Sequence, residues 1–143
     1  SELASEIAKR DKAVIIPTGV TAANLLGFST QVPMTTSFLT TGSSRKLYMG
    51  KRMVILKHGA PRNFAFKGIL MRDLVQALRS IGENNITAED EKQISKLLAE
   101  NPETETIDHD LLLAPVWMRN IIRRNIKGIS SLRGISERRA TNS

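Results

Sequence analysis

The chain has 143 residues, 41% of them hydrophobic, no cysteine and a formal net charge of +7. This length and hydrophobic content predict about one domain with a buried core, and the lack of cysteine excludes disulfides and thiolate metal sites. No apolar run approaches the roughly 18 residues of a membrane-spanning helix, so we expect no membrane partner and, because a cysteine-free chain fits a reducing compartment, a cytoplasmic protein.

The first third of the chain predicts a helix, a strand and a second helix. Leu3 and Ile7 lie on one stripe of "SELASEIAKRD", which is a helical pattern. The apolar run "AVIIP" is typical of a short buried strand that stops at Pro17. Thr18 or Thr21 is positioned to cap the helix that follows, "TAANLLGF".

Three segments in the middle of the chain predict β-strands, because they alternate in polarity and are rich in β-branched residues: "TTSFLTTG", "RKLYMG" and "RMVILKHG". In the last of them, Val54 and Leu56 face one way and Met53 and Ile55 the other. The turns between them are "TGSS" and "MGKR". We predict a meander of antiparallel strands, with the strand over 13–17 packed beside it.

The remainder of the chain changes to a helical period. "ILMRDLVQALRSIG" is ended by Gly82, and "TAEDEKQISKLLAEN" opens with the capping box Thr87…Asp90. A third helix, "DHDLLLAPVWMRNIIRRNI", has Pro115 forcing its start or a kink. The predicted fold class is therefore α/β (α+β): a mainly antiparallel sheet with helices packed on it and a C-terminal helical portion.

Each end of the sequence leads to a prediction about domain organisation. The start is polar and acidic, unlike a secretory leader, and has no methionine, so we expect a fragment whose N-terminal part is missing. Residues 128–143 are rich in Ser and Arg and lack a clean period, so we expect a basic flexible tail. The prediction is one domain over residues 1–127.

The glycine turn between the first strand and the second helix raises the question of a phosphate-binding loop. A dinucleotide fingerprint requires G-x-G-x-x-G, whereas this turn has Gly19 and then Gly27. A Walker loop would require glycine at Asn24. The helix N-terminus is able to hold an anion, but we expect the turn to be scaffold and the chain to have no cofactor.

The sequence contains few residues suited to catalysis or to metal binding. His58 and His109 are the only histidines, and each is isolated. His109 stands between Asp108 and Asp110, which is a possible seed of a metal site, but acidic residues beside a helix start are more often caps. Residues 12–72 contain no Asp or Glu, which argues against a hydrolase built on strand carboxylates. We expect no metal, no catalytic residue and no enzyme.

Charge is unevenly distributed along the chain. Residues 9–79 hold twelve Lys or Arg against two Asp, whereas residues 83–110 hold nine acidic residues against two Lys. Such asymmetry is typical of proteins that bind nucleic acid or an acidic partner, although solvated faces explain it equally well. The candidate binding residues are Arg45, Lys46, Lys51, Arg52, Lys57 and Arg62 on the strand region, and Arg119, Arg123 and Arg124 on the last helix.

Aromatic residues near the basic set are too few for a surface on which single-stranded bases stack. Tyr48, Phe64 and Phe66 are the only candidates, and we interpret both phenylalanines as core residues. Trp117 lies at helical spacing from Ile121 and is also interpreted as core. The apolar Ile121, Ile122, Ile126 and Ile129 leave a homo-oligomer possible.

The order of segments over about residues 3–125 resembles a known family. "IAKRDKAVIIPTGVTAANLLGFSTQVP", "FLTTGSSRKLYMGKRMVILKHGAPRNFAFKG" and "LLLAPVWMRNII" are similar to the C-terminal domain of bacterial AbiEi-like antitoxins of type IV toxin–antitoxin systems. The resemblance implies a non-catalytic domain that neutralises a nucleotidyltransferase-like toxin, here through the basic residues. It also implies an N-terminal winged helix that binds operator DNA, and we expect that part to be missing from this fragment. An accessory DNA-binding domain of a transcriptional autoregulator and a nucleotide- or metal-dependent enzyme remain alternatives.

Overall fold

The computed structural model of the chain describes residues 2–101 and 105–126. Its first half holds two helices and four strands: α1 (Glu2–Asp11), β1 (Ile15–Pro17), α2 (Gly19–Leu25), β2 (Thr35–Thr40), β3 (Arg45–Met49) and β4 (Arg52–His58). Its second half is helical: α3 (Ile69–Ile81), α4 (Ala88–Glu100), α5 (Ile107–Leu111) and α6 (residues 116–126), with short 3-10 turns at Pro61–Phe64 and Glu83–Asn85. The α+β fold class is confirmed, and the tail predicted over 128–143 lies outside the described residues.

The four strands form one sheet in the order β1-β2-β4-β3. The pairs β1–β2 and β3–β4 are antiparallel, whereas β2 and β4 are parallel. The predicted meander is therefore wrong in one respect, because β4 lies between β2 and β3. The loop over 41–44 crosses the end of β4, where the Gly59 N–H donates to the Thr40 carbonyl at 3.0 Å and the His58 N–H donates to Ser44 Oγ at 2.8 Å.

The chemistry of the strands explains why β4 is central and β3 is an edge. β4 carries buried Val54 and Leu56 on one face and half-buried Met53 and Ile55 on the other. Apolar side chains on both faces are covered best when strands lie on either side, which favours a central position. β3 is shorter and carries exposed Lys46, and lysine on an edge strand discourages pairing with another chain.

One face of the sheet, the inner face, packs against α1. Phe38, Val54 and Leu56 form a core cluster there with Ile7 of α1, and all four side chains are at most 3% exposed. The alternation predicted for β4 is thus confirmed. Burying this face fixes the register of the sheet, because a shift of one residue would expose every one of these side chains.

The second core lies among α3, α4, α5 and α6. Leu74, Leu78, Ile94, Met118 and Ile122 are among its most buried side chains. Phe66, Trp117 and Ile126 pack against it partly buried, and Ile121 is 8% exposed within it. The core interpretation of Phe66 and Trp117 is confirmed, and the described C-terminal isoleucines pack within the chain itself.

Two local predictions require correction. Thr18 occupies the N-cap position of α2, but its hydroxyl makes no capping hydrogen bond and instead donates to Gln76 Oε1 at 2.6 Å. Thr21 lies inside α2, where its Oγ1 accepts the Ser37 N–H at 2.8 Å. The segment predicted as one helix is two helices, α5 and α6, and of the two effects expected of Pro115 the structure shows a helix start and not a kink. Because proline is tolerated at a helix start and not in its interior, α6 begins directly after it.

The helix signals of the second half are otherwise confirmed. Gly82 ends α3 with φ +92°, a conformation that favours glycine. The capping box at the start of α4 is complete: the Asp90 N–H donates to Thr87 Oγ1 at 3.1 Å and the Thr87 N–H donates to Asp90 Oδ2 at 3.0 Å. Among the helices of the described residues, none is long and apolar enough to cross a membrane.

Candidate functional site

The candidate metal site around His109 has a structural role. Asp110 is fully buried, and its carboxylate accepts the backbone N–H groups of Lys67 at 2.9 Å and Gly68 at 2.7 Å. His109 Nδ1 lies 2.8 Å from Asp110 Oδ1. Asp110 therefore ties α5 to the segment that leads into α3. Within residues 2–101 and 105–126, no group of three His, Cys, Asp or Glu side chains is placed to hold a metal ion.

Two of the nine candidate basic residues form ion pairs within the fold. Arg45 contacts the carboxylate of Asp11 at the end of α1. Arg124 of α6 contacts Glu91 of α4, with Nη2 at 2.7 Å and Nε at 3.0 Å from the same carboxylate oxygen. Both pairs join separate elements of the fold, so each guanidinium already has an anionic partner.

Arg62 and Arg119 bind backbone carbonyl oxygens. Arg62 donates to Leu113 at 3.0 Å and to Leu112 at 3.1 Å. Arg119 donates to Leu111 at 2.9 Å, to Ala114 at 3.1 Å and to Leu112 at 3.4 Å. The last carbonyls of a helix have no partners within it. These two arginines supply the donors at the end of α5 and in the turn toward α6.

Arg52 lies on the inner side of the sheet, away from the lysines with which it was grouped. It alternates with Met53 along β4 and lines a cavity of about 210 Å³ together with Leu3 of α1 and Asn24 of α2. Arg123 lies exposed on α6, whose buried side chains belong to the helical core. The nine predicted residues thus do not form one surface.

Three lysines remain on one open region of the sheet. Lys46 on β3 lies opposite Ile55, and Lys57 is the next residue of β4 on the same side, so the two are diagonal cross-strand neighbours. Tyr48, opposite Met53, is 74% exposed on the same side, and Lys51 is exposed in the turn between the strands. We call this region, made of Lys46, Tyr48, Lys51 and Lys57, the basic face.

The basic face is electrostatically uncompensated. All three lysines are exposed, and within the described part of the chain none of them forms an ion pair. The four strands carry no Asp or Glu. The apolar half-buried side chains of Met53 and Ile55 lie between the lysines, which makes the face a mixture of apolar area and positive charge.

A cavity of about 420 Å³ adjoins the basic face at Lys57. It opens between β2 and β4 on one side and α3 on the other, and we call it the Lys57 cavity. Among the residues that the structure describes, its charged or titratable lining side chains are Lys57, His58 and Arg79, and none is a carboxylate. The remaining lining residues are Thr18, Gly19, Ser37, Leu39, Gly59, Ala60, Asn63 and Gln76.

A chain of hydrogen bonds places the polar side chains of this cavity. Thr18 donates to Gln76 Oε1 at 2.6 Å, and Gln76 Nε2 donates to Asn63 Oδ1 at 3.1 Å. Asn63 Oδ1 lies 3.5 Å from Arg79 Nη1, and Asn63 Nδ2 donates to the Ala60 carbonyl at 3.2 Å. Gln76 is only 2% exposed, so this network runs from the core to the Arg79 guanidinium at the cavity.

The inner side of the sheet has a second cavity of about 400 Å³, lined mainly by apolar residues such as Val14, Leu25 and Ile69. Arg72 and Asp73 also line it and form an ion pair, with Nε and Oδ1 2.8 Å apart. Burial raises the pKa of Asp73 above its ordinary value, and the adjacent Arg72 opposes that rise.

Sequence reasoning missed Asn63, Gln76 and Arg79. The positions of Gln76 and Arg79 differ by three, which places them on one face of α3, and this spacing is the available signal. Asn63 comes from a short 3-10 turn, and no pattern in the sequence connects it to α3.

The chain belongs to a family described as "Family of unknown function (DUF6088)", whose profile matches residues 1–106. The matched range includes all four strands, the basic face and the Lys57 cavity. No curated protein and no solved structure matches the chain.

Proposed function

We propose that this chain is a non-catalytic, antitoxin-type interaction domain that neutralises a nucleotidyltransferase-like toxin. The toxin is the partner implied by the resemblance of the sequence to AbiEi-like antitoxins. The observation that carries the proposal is the basic face, where two lysines on strands and one in the turn between them are exposed and form no ion pair within the described residues. The four strands also carry no Asp or Glu. The encounter takes place in the cytoplasm, which fits a chain without cysteine.

The proposed mechanism is occlusion. A nucleotidyltransferase-type active site collects carboxylates that hold metal ions for phosphoryl transfer, so its mouth is negatively charged. The basic face would cover that mouth and keep the nucleic-acid substrate out. Positive charge speeds such an encounter through long-range attraction, and the apolar area of Met53 and Ile55 contributes burial once contact is made.

The proposed surface is smaller than the nine residues selected from the sequence. Arg45 and Arg124 are paired with carboxylates, and Arg62 and Arg119 are bound to carbonyl oxygens. Releasing any of these groups for a partner would first break a contact of the fold, which costs free energy. The exposed lysines of the basic face can contact a partner without first breaking an ion pair of the described fold.

The test is a neutralisation assay with paired charge reversals. The chain is co-expressed with the candidate toxin, and growth is measured for the parent and for the variant with Lys46→Glu and Lys57→Glu. The matched control carries Lys9→Glu and Lys96→Glu, which change the net charge equally at exposed positions on α1 and α4.

We expect the basic-face variant to lose neutralisation and to weaken binding of the toxin by at least about tenfold, with the control at the parent level. Equal neutralisation by all three proteins would overturn the occlusion surface.

The second candidate function is accessory DNA binding by the same face. Exposed lysines without neighbouring carboxylates favour phosphate contacts, which position a protein on DNA without reading its sequence. Its measurement is affinity for duplex DNA as a function of salt. About two to three phosphate contacts would give a slope of roughly −2 to −3 in log–log form, and binding insensitive to salt would remove this candidate.

A further inference from the structure

We propose that the Lys57 cavity binds the terminal phosphate group of a small phosphate monoester. This site is distinct from the toxin-binding role of the basic face, and it does not depend on that role. The two share Lys57, whereas Arg79 belongs to the cavity alone.

Charge is the first argument for the ligand class. Lys57 and Arg79 give the cavity two full positive charges, and within residues 2–101 and 105–126 no carboxylate lines it. A phosphate monoester carries roughly −1.5 to −2 charges at neutral pH, whereas a diester or a carboxylate carries one. The two cations therefore match the charge of a monoester most closely.

The arrangement of Arg79 is the second argument. Arg79 Nη1 lies 3.5 Å from Asn63 Oδ1, which also accepts a hydrogen bond from the buried Gln76. This long contact uses only one of the five N–H donors of the guanidinium. The remaining donors form the planar fork that suits bidentate binding of phosphate oxygens. Among the described residues, neither Lys57 nor Arg79 has an anionic partner.

The size of the cavity is the third argument. About 420 Å³ lies in the range of roughly 300–1,000 Å³ that is usual for small-molecule sites, so there is room for more than a bare phosphate ion. Leu39 and Ala60 supply apolar wall. A sugar or nucleoside attached to the phosphate would lie along that wall.

The experiment is a titration of the full chain at constant ionic strength. Binding is measured by calorimetry and by changes in amide chemical shifts. The probes are inorganic phosphate, ribose 5-phosphate, a nucleoside 5′-monophosphate and a dinucleoside phosphodiester. The variants are Lys57→Gln, Arg79→Gln and Arg79→Lys, with Lys9→Gln and Lys96→Gln as matched controls that remove one exposed positive charge elsewhere.

We expect saturable binding of the monoesters, with shifts confined to the residues around 37–39, 57–63 and 76–79. Each glutamine variant of the cavity should weaken binding at least about tenfold, because a charge-assisted hydrogen bond is lost. Arg79→Lys should recover part of the affinity, the diester should bind more weakly, and the control variants should behave as the parent. A monoester that gains affinity from its sugar or its base identifies which of the two lies along the apolar wall.

Absence of saturable monoester binding would overturn the proposal. Equal losses in the cavity variants and the control variants would also overturn it, since that pattern reports net charge and not a site. Equal affinity for the diester would contradict the assignment to a terminal phosphate. The cavity proposal fails separately from the toxin proposal, because Arg79→Gln leaves all three lysines of the basic face in place.

Discussion

Arg62 and Arg119 donate hydrogen bonds to the same carbonyl oxygen, that of Leu112, at 3.1 Å and 3.4 Å. One arginine follows the sheet and the other lies on α6, so the turn between α5 and α6 is held from two sides. The sequence grouped both residues with the partner-binding set. Their donors are instead committed to the backbone of the fold.

Replacing Arg119 therefore tests stability and not binding. Arg119→Gln should lower the free energy of unfolding by about 1–2 kcal/mol, because up to three carbonyl contacts are lost. Urea denaturation measures this, with Arg123→Gln on the exposed side of α6 as the control. Unchanged stability together with lost toxin neutralisation would return Arg119 to the binding surface.

Asp110 supplies a second stability prediction. Its buried carboxylate accepts two backbone N–H groups, and an asparagine side chain offers only one acceptor oxygen. Asp110→Asn should lower the free energy of unfolding by about 2–3 kcal/mol, as measured by urea denaturation. Asp108→Asn at an exposed position should stay within about 0.5 kcal/mol of the parent. Equal effects of the two substitutions would show that the anchoring contact contributes nothing measurable.

Substitutions of two threonines are expected to change the free energy of unfolding in opposite directions. Thr36 Oγ1 is buried without a hydrogen-bond partner among the described residues, whereas Thr21 Oγ1 accepts the Ser37 N–H. Thr36→Val should raise the free energy of unfolding by about 1 kcal/mol, and Thr21→Val should lower it by a similar amount, because it leaves a donor unsatisfied. Thermal denaturation of both variants checks the prediction, and a shift in the same direction for both would refute it.

The raised pKa of Asp73 predicts a pH dependence of stability. An acid whose pKa is higher in the folded state favours folding while it is protonated, so its contribution is complete below the unfolded value of 3.8 and is lost as the pH rises through the folded pKa. Asp73→Asn removes that loss. Its free energy of unfolding relative to the parent should therefore increase from acidic to neutral pH.

The measurement is a series of urea denaturations across that pH range. Arg72→Gln serves as the companion variant, because it removes the ion pair that opposes the effect of burial. It should enlarge the loss of stability with rising pH. A pH-independent difference between Asp73→Asn and the parent would contradict the assignment of this effect to Asp73.

The sequence was sufficient for the elements whose signals are local. The capping box of Thr87 and Asp90, the glycine that ends α3 and the alternation of β4 each depend on neighbours a few residues apart. The parallel pairing of β2 with β4 could not be predicted in this way. It depends on a loop that crosses a strand end, and strand spacing alone favoured a simple meander.

The candidate site was predictable only in part, for a similar reason. Counting charges identified Lys46 and Lys57, but it could not separate them from Arg62 or Arg124. Whether an arginine is available depends on a carbonyl or carboxylate that lies distant in the chain. The cavity residues Gln76 and Arg79 were missed because nothing in the sequence marks the network that joins them.

Chemical-shift mapping of the labelled chain, with and without the purified candidate toxin, would show whether the basic face is the surface that binds the toxin. We expect the perturbed amides to cluster on β3 and β4 around Lys46, Tyr48 and Lys57, and we expect no such cluster in the Lys46→Glu, Lys57→Glu variant. Perturbations confined to the acidic side of α4, with the basic face unchanged, would show that the basic face does not bind the toxin.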